Sequence, residues 1–312
     1  MILKELNLYH NPVLTNEVIK GLNITPGGRY IDATLGEGGH STNILIKSDP
    51  GGQVLGIDAD HEAVSVAQKR VNYSSDKFLA VNDNFKNIRS IAMKYNFSPV
   101  HGILFDLGVS SLQLDAESRG FSFRRADPLD MRFSYNQNLS ASQIINNYDE
   151  NELANLIFYF GEEKKSRKIA KTIVRNRPIK SSLELAELIC EVIPRKKNQK
   201  INPATKTFQA IRIAVNDELS ALETALNESL TVIGEGGRIA VISYHSLEDR
   251  IVKNFFKKQS SECICPPRSP VCICKHEKTI KIISKKPIIP STNEVNNNPR
   301  SRSAKLRIAE RI

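Results

Sequence analysis

The stretch Asp32-Ala33-Thr34-Leu35-Gly36-Glu37-Gly38-Gly39-His40 follows a strand-like run at 29–31 and precedes a helical run from Ser41. A glycine-rich turn between a strand and a helix brings bare backbone close to a ligand, at the positive end of the helix. Twenty-two residues after Gly36, Asp58 ends a second apolar run, 53–57. An acidic residue at that offset suits the two hydroxyls of a ribose. The turn therefore predicts a nucleoside-cofactor site in an α/β fold.

Outward from the turn, strands are expected at 29–33, 53–57, 78–82 and 100–105, with helices at 11–22, 40–47, 60–72 and 85–95. Such alternation predicts a parallel sheet with helices on both faces. It stops after Asp106, and 112–138 reads as polar loop. Asp149 with Glu152, and Ser181 with Glu184, then form capping boxes ahead of apolar helical runs, punctuated by Pro178 and Pro194. No strand pattern occurs between 140 and 200. Phe208, Ile211, Val215, Leu219, Leu222, Leu226, Leu230 and Ile233 recur at helical spacing and predict one long helix, ended by Gly236-Gly237. A fifth strand at 238–243, a helix at 247–258 and two last strands at 279–284 and 305–309 complete the chain. An Asn- and Pro-rich link, 287–299, separates those last strands, which can close as an edge hairpin. The organisation expected is an α/β domain of 1–112 and 206–312, interrupted by an all-helical insertion, 113–205.

The 312 residues suffice for a large core, and no apolar run approaches the ~20 residues of a membrane helix. The first eleven residues carry no signal-peptide pattern, so a cytoplasmic protein without a membrane partner is expected. The net charge of +10 is concentrated: 12 basic against 5 acidic residues in 161–200, and 15 against 4 in 250–312. Two basic segments beside a nucleoside-cofactor site predict a polyanionic partner.

The third glycine of a dinucleotide fingerprint is missing, and no phosphate-loop lysine follows the turn. Phe85, just past strand three, can pack on an adenine ring, and Asp106 ends strand four where a reacting group would be met. Residues at the carboxyl ends of successive parallel strands line the ligand crevice of such sheets. An adenosine cofactor without phosphates fits these positions better than a nicotinamide cofactor. A binding protein with a vestigial cofactor fold is the competing class, although neither the glycine turn nor Asp58 is eroded.

The chain resembles the bacterial small-subunit ribosomal RNA cytosine-N4 methyltransferases of the MraW type along nearly its whole length. The blocks that carry the resemblance begin with His10-Asn11-Pro12-Val13-Leu14 and the turn itself. Phe105-Asp106-Leu107-Gly108-Val109-Ser110-Ser111-Leu112-Gln113-Leu114-Asp115, Arg119-Gly120-Phe121-Ser122-Phe123 and Asp127-Pro128-Leu129-Asp130-Met131-Arg132 follow. Thr207-Phe208-Gln209-Ala210-Ile211-Arg212, Ser243-Tyr244-His245-Ser246-Leu247-Glu248-Asp249-Arg250 and Asn298-Pro299-Arg300-Ser301-Arg302-Ser303 complete the set. The resemblance implies a Rossmann-like class I methyltransferase sheet with a helical substrate-recognition insertion. It implies S-adenosylmethionine as methyl donor and a cytosine in the decoding region of 16S rRNA, in the small ribosomal subunit, as acceptor. It places cofactor contacts at Gly38, Gly39, His40, Asp58, Phe85, Asp106 and Gln113. The oligomeric state stays open, a homodimer included.

Methyl transfer to the exocyclic amine of cytosine needs alignment and an acceptor for the amine hydrogens, because the nitrogen lone pair is delocalised into the ring. Asp106, or the carbonyls of Leu107 and Gly108, can supply that acceptor. His245 is the second catalytic candidate, to take the proton or orient the base; its alternative is a hydrogen-bonded turn residue. Ser110 and Ser111 are candidates for base or phosphate contacts. Arg124, Arg125 and Arg132 read equally as phosphate ligands or as partners of Asp127 and Asp130, and Arg300 and Arg302 are candidate RNA contacts.

Cys263-x-Cys265 and Cys272-x-Cys274 place four thiols within twelve residues, whereas Cys190 reads as core. Four sulfurs suit a tetrahedral zinc, although the usual knuckle has two residues within each pair. A structural zinc, reduced loop cysteines and a redox function are the three readings, and the cluster reads as a clip on a basic loop rather than part of catalysis.

Overall fold

The computed structural model of the chain describes residues 12–71, 76–194, 202–266 and 272–312. His10, Asn11, Asn72 and parts of both basic segments, 195–200 and 267–271, lie outside them. Helix α1 (Thr15–Leu22) is followed by β1 (Arg29–Asp32), α2 (Gly39–Ser48), β2 (Gln53–Asp58), α3 (His61–Val71), β3 (Phe78–Asn82), α4 (Ile88–Lys94) and β4 (Val100–Asp106). Helices α5 (Ser111–Asp115), α6 (Ala141–Asn147), α7 (Glu150–Gly161), α8 (Ser166–Arg175), α9 (Ser182–Val192) and α10 (Thr205–Asn216) come next. The chain ends with α11 (Glu218–Val232), β5 (Ile233–Ser243), α12 (Ser246–Gln259), β6 (Ile280–Ile282), α13 (Thr292–Asn297) and β7 (Lys305–Arg311). Among the described residues no helix is long and apolar enough to cross a membrane.

The seven strands form one sheet in the order β3-β2-β1-β4-β5-β7-β6. The first five pair in parallel, and β7 runs antiparallel between β5 and β6. This is the Rossmann-like sheet expected, with the last two strands closing one edge as a hairpin. Period-two alternation divides the strand residues between two cores. Ile31, Ile103, Phe105, Ile239 and Val241 join one. Tyr30, Leu104, Ala240 and Ile242 join the other. A parallel sheet buried on both faces produces such near-continuous apolar runs. The strand order reverses between β1 and β4, and the crevice at their carboxyl ends is where sheets of this kind bind ligands.

The chain divides into two compact units, Met1–Gly108 with Leu219–Ile312, and Val109–Glu218. The second has a core of its own, including Ile144, Leu153, Ile157, Ile169, Ile173, Leu185 and Ile189. The Asp149 box forms: its carboxylate accepts the Glu152 amide at 2.8 Å, and the Glu152 carboxylate accepts the Asp149 amide at 3.1 Å. At α9 the Ser181 hydroxyl accepts the Glu184 amide, but the Glu184 carboxylate turns to the Lys180 amide instead.

Three expectations are corrected. The single helix from Phe208 to Ile233 is two helices, broken at Asp217, whose φ of 50° is left-handed. Phe208, Ile211 and Val215 join the helical core, and Leu222 and Leu226 join a sheet core. One apolar stripe thus serves two cores, which periodicity alone does not reveal. The helical unit accordingly runs to Glu218, where the reading had set 113–205. Second, β5 begins directly after α11; Gly236 and Gly237 lie within it, at a register shift against β4, rather than ending a helix. Third, the link 287–299 contains α13, whose Glu294 carboxylate accepts the Leu14 amide at 2.7 Å.

Candidate active site

The glycine turn is fixed from behind by β2. The Leu35 amide donates to the Ile57 carbonyl, and the Gly36 amide donates to Asp58 Oδ2 at 2.8 Å. The three glycines differ in what they answer to. A side chain at Gly38 (φ +76°) would meet Val71, and one at Gly39 would meet Pro12, so packing alone demands both. Gly36 (φ +50°) has open space where a Cβ would stand. The uncovered floor of the turn is therefore at Gly36.

Asp58 Oδ1 accepts the Asp60 amide at 2.9 Å. Burial pushes the Asp58 carboxyl up to about 6, outweighing the downward pull of those two amides. Asp32, at the end of β1, is buried and accepts the Ser41 hydroxyl at 2.7 Å. Its carboxyl is also raised, first by desolvation, while His40 acts in the opposite direction.

Asp106 is held from three sides. Its amide donates to Thr34 Oγ1 at 2.6 Å, and Tyr244 Oη donates to its Oδ1 at 2.8 Å. His40 Nε2 stands 3.5 Å from Oδ2. His40 is buried, yet neither ring nitrogen has a hydrogen-bond partner. Burial, and then the charge of Asp106, hold the Tyr244 phenol well above its ordinary pKa, so it stays a donor. Gly108 (φ +110°) lies against the Tyr244 ring, where an added Cβ would stand a tight 3.3 Å from Cδ2.

Phe85 opens a short 3-10 turn after β3, capped by Asn84, and its ring meets Phe105 edge-on at 5.9 Å. Gln113 belongs to the helical unit. It is buried and completes a capping box with Ser110, its Oε1 accepting the Ser110 amide. His245 is the N-cap of α12. Its Nδ1 accepts the Glu248 amide at 3.4 Å, and its Nε2 stands 3.1 Å from Glu248 Oε1. The contacts of His245 run to Glu248; Tyr244, its neighbour, is the residue that reaches Asp106. A cavity of about 350 Å3 is lined by Tyr244, His245, Arg302 and Lys305, among others.

Arg125 and Arg132 of the helical unit brace its loop. Arg132 binds Asp130 through two bonds at 2.9 and 2.8 Å, which hold that carboxyl low against partial burial. Arg125 meets Asp127 and donates to the carbonyls of Asp115 and Ala116. Cys263, Cys265, Cys272 and Cys274 converge in the connection between α12 and β6.

Sequence reasoning missed Thr34, Ser41 and Tyr244. Thr34 and Ser41 stand within or beside the opening motif, and Tyr244 precedes the histidine that drew attention. A polar residue at the carboxyl end of a strand next to the switch point was the available signal.

The model of the MraW methylase family matches residues 7–312. The chain is 54% identical over 303 residues to a protein of Dehalococcoides mccartyi named ribosomal RNA small subunit methyltransferase H, covering 97% of this chain and 86% of that one. It is 48% identical to the protein of that name from Halothermothrix orenii, over 98% of this chain and 99% of that one. For the Clostridioides difficile protein of that name, the identity is 45%, over 98% of this chain and all of the relative.

Proposed function

The chain belongs to the MraW methylase family and is a methyltransferase; from that premise we propose that it methylates the exocyclic N4 of one cytosine in the decoding region of 16S rRNA. S-adenosylmethionine supplies an electrophilic methyl group on a sulfonium sulfur. The residues of the turn fit such a donor: Gly36 leaves open space, His40 keeps two buried nitrogens without hydrogen-bond partners, and Asp58 ends β2. Asp58 binds the ribose hydroxyls, Phe85 packs on the adenine, and Gly38 and Gly39 shape the turn. His40 faces the methionine part.

The observation that carries the reading is the Asp106 carboxylate, oriented by Tyr244 beside His40 at the end of β4. A carboxylate held there accepts an N–H of the amine and draws electron density onto nitrogen. The N4–CH3 bond forms as the S–CH3 bond breaks, and the proton leaving N4 passes to Asp106. His245 caps α12 beside the cavity that Arg302 and Lys305 line, which gives it a place in holding the substrate. The target base has to leave its stack to reach Asp106. The small subunit is then the partner, in the cytoplasm.

The test is to map methylated cytosines in 16S rRNA from cells with the wild-type chain, without it, and with Asp106→Asn. Loss of one N4-methyl group in the last two strains supports the reading. A missing methyl on a ring carbon or ribose oxygen, or an unchanged map, overturns it.

A further inference from the structure

We propose that Cys263, Cys265, Cys272 and Cys274 form a tetrahedral tetrathiolate site for one structural Zn(II), closing the connection between α12 and β6. This site is separate in chemistry from methyl transfer. The sulfurs stand 3.5 Å (Cys263–Cys272), 3.6 Å (Cys272–Cys274), 3.8 Å (Cys263–Cys274) and 4.0 Å (Cys265–Cys272) apart. All four lie within 4.8 Å of one another. With Zn–S bonds of about 2.3 Å, the edge of a regular tetrahedron is about 3.8 Å. The four measured edges scatter around that value. They are too long for disulfides, whose sulfurs stand about 2.0 Å apart, and all four cysteines are free.

The backbone supports the sulfurs as it would support thiolates. The amides of Ile264 and Ile273, each in the middle of a Cys-x-Cys pair, point to Cys274 Sγ at 3.5 Å and Cys265 Sγ at 3.4 Å. The Cys265 amide points to Cys263 Sγ at 3.4 Å. The two pairs thus interlock, each donating to a sulfur of the other. Amide donors of this kind stabilise negative charge on sulfur and orient the ligands.

Ile264 and Ile273, the middle residues of the two pairs, are 42% and 81% exposed. The foot of the connection is tied to α12, where His276 Nε2 meets the Lys258 carbonyl at 2.9 Å and the Thr279 amide donates to the Gln259 carbonyl. Beyond these ties, the four thiols stand where a metal would fix the connection. Metal binding displaces their protons and converts ligand affinity into loop order. The loop so fixed carries part of the second basic segment, Lys275 and Lys278 included.

The experiment uses the full chain, purified without chelator from cells grown with zinc. Plasma mass spectrometry should find one zinc per chain. Replacement by Co(II) should give the intense visible bands and thiolate charge-transfer bands of a tetrahedral sulfur site. Cys263→Ser and Cys272→Ser should each lose the metal, while Cys190→Ser keeps it. Circular dichroism of the variants separates loss of the site from loss of the fold. Zinc far below one equivalent, an octahedral Co(II) spectrum, or a mass showing two disulfides in the freshly isolated chain would overturn the proposal. So would metal retained in both serine variants.

Discussion

At the scale of single residues, Asp58 and Tyr244 make the most direct predictions. Asp58 was legible because a fixed offset from a glycine turn has a chemical meaning. Its elevated pKa was not, since burial comes from the assembled sheet. The carboxylate accepts ribose hydroxyls best when ionised, so bound cofactor favours the ionised form and releases a proton where the free site is protonated. Affinity for S-adenosylhomocysteine should therefore fall as pH drops below about 6, by up to about tenfold per pH unit. Asp58→Asn should weaken binding and flatten that dependence; titration calorimetry from pH 5 to 8 in buffers of different ionisation enthalpy measures both, with the range chosen to bracket the shifted carboxyl. Tyr244 was not legible, because its meaning depends on a partner 138 positions away, Asp106. A hydrogen bond to a charged group contributes about 1.5–3 kcal/mol. Tyr244→Phe should thus lower kcat roughly 10- to 100-fold with cofactor affinity unchanged, as single-turnover methylation beside equilibrium binding will show. An unchanged kcat would remove Tyr244 from the positioning of Asp106.

At the scale of elements, local signals were read well and long-range ones poorly. Capping residues and alternation located β1 to β4 and α7, because caps and strand periodicity are written in neighbouring residues. The break at Asp217 was missed because the apolar stripe continues across it. The left-handed turn is followed by a short-range clamp: Arg212 binds Glu218 through bonds of 2.7 and 2.8 Å. A non-glycine residue in that conformation costs about 1–2 kcal/mol, and aspartate tolerates it better than alanine. Asp217→Gly should leave the stability unchanged or raise it by up to about 1 kcal/mol, and Asp217→Ala should lower it by about 1 kcal/mol; urea denaturation followed by helical ellipticity checks the sign. Helix α8 turns a charge count into a surface. Ile169, Ala170 and Ile173 are buried, while Arg167, Lys168, Lys171 and Arg175 are exposed. If this face meets rRNA phosphates, Arg167→Glu with Lys168→Glu and Lys171→Glu should weaken RNA binding across sequences. The slope of log affinity against log salt should then shrink by up to about 0.7–0.9 per lost contact. Filter binding over a salt series reads this, and an unchanged slope would place the RNA elsewhere.

For the whole molecule, the decisive feature is that one continuous chain builds separate cores. The sequence showed where strands ceased and helices took over, and hence that an insertion existed. It did not show where the second core ends, because the residues of α10 and α11 share one periodic pattern while burying against different partners. Separate cores have a thermodynamic consequence. A ligand stabilises the unit that binds it by RT ln(1 + [L]/Kd), about 2.7 kcal/mol at a hundredfold excess over Kd. The residues proposed for the adenosine part, Gly36, Asp58 and Phe85, all belong to the sheet-bearing unit. With S-adenosylhomocysteine at that excess, the slowest amides of β1, β2 and β4, such as Ile31, Leu55 and Ile103, should exchange up to about 100-fold more slowly. The amides of Ile157, Ile169 and Ile189, in the core of the helical unit, should exchange at their unliganded rates. Hydrogen exchange read peptide by peptide distinguishes the outcomes. Equal slowing of both sets would mean that the chain unfolds as one cooperative body, and that α10 and α11, despite their separate cores, transmit the full stabilisation across Asp217.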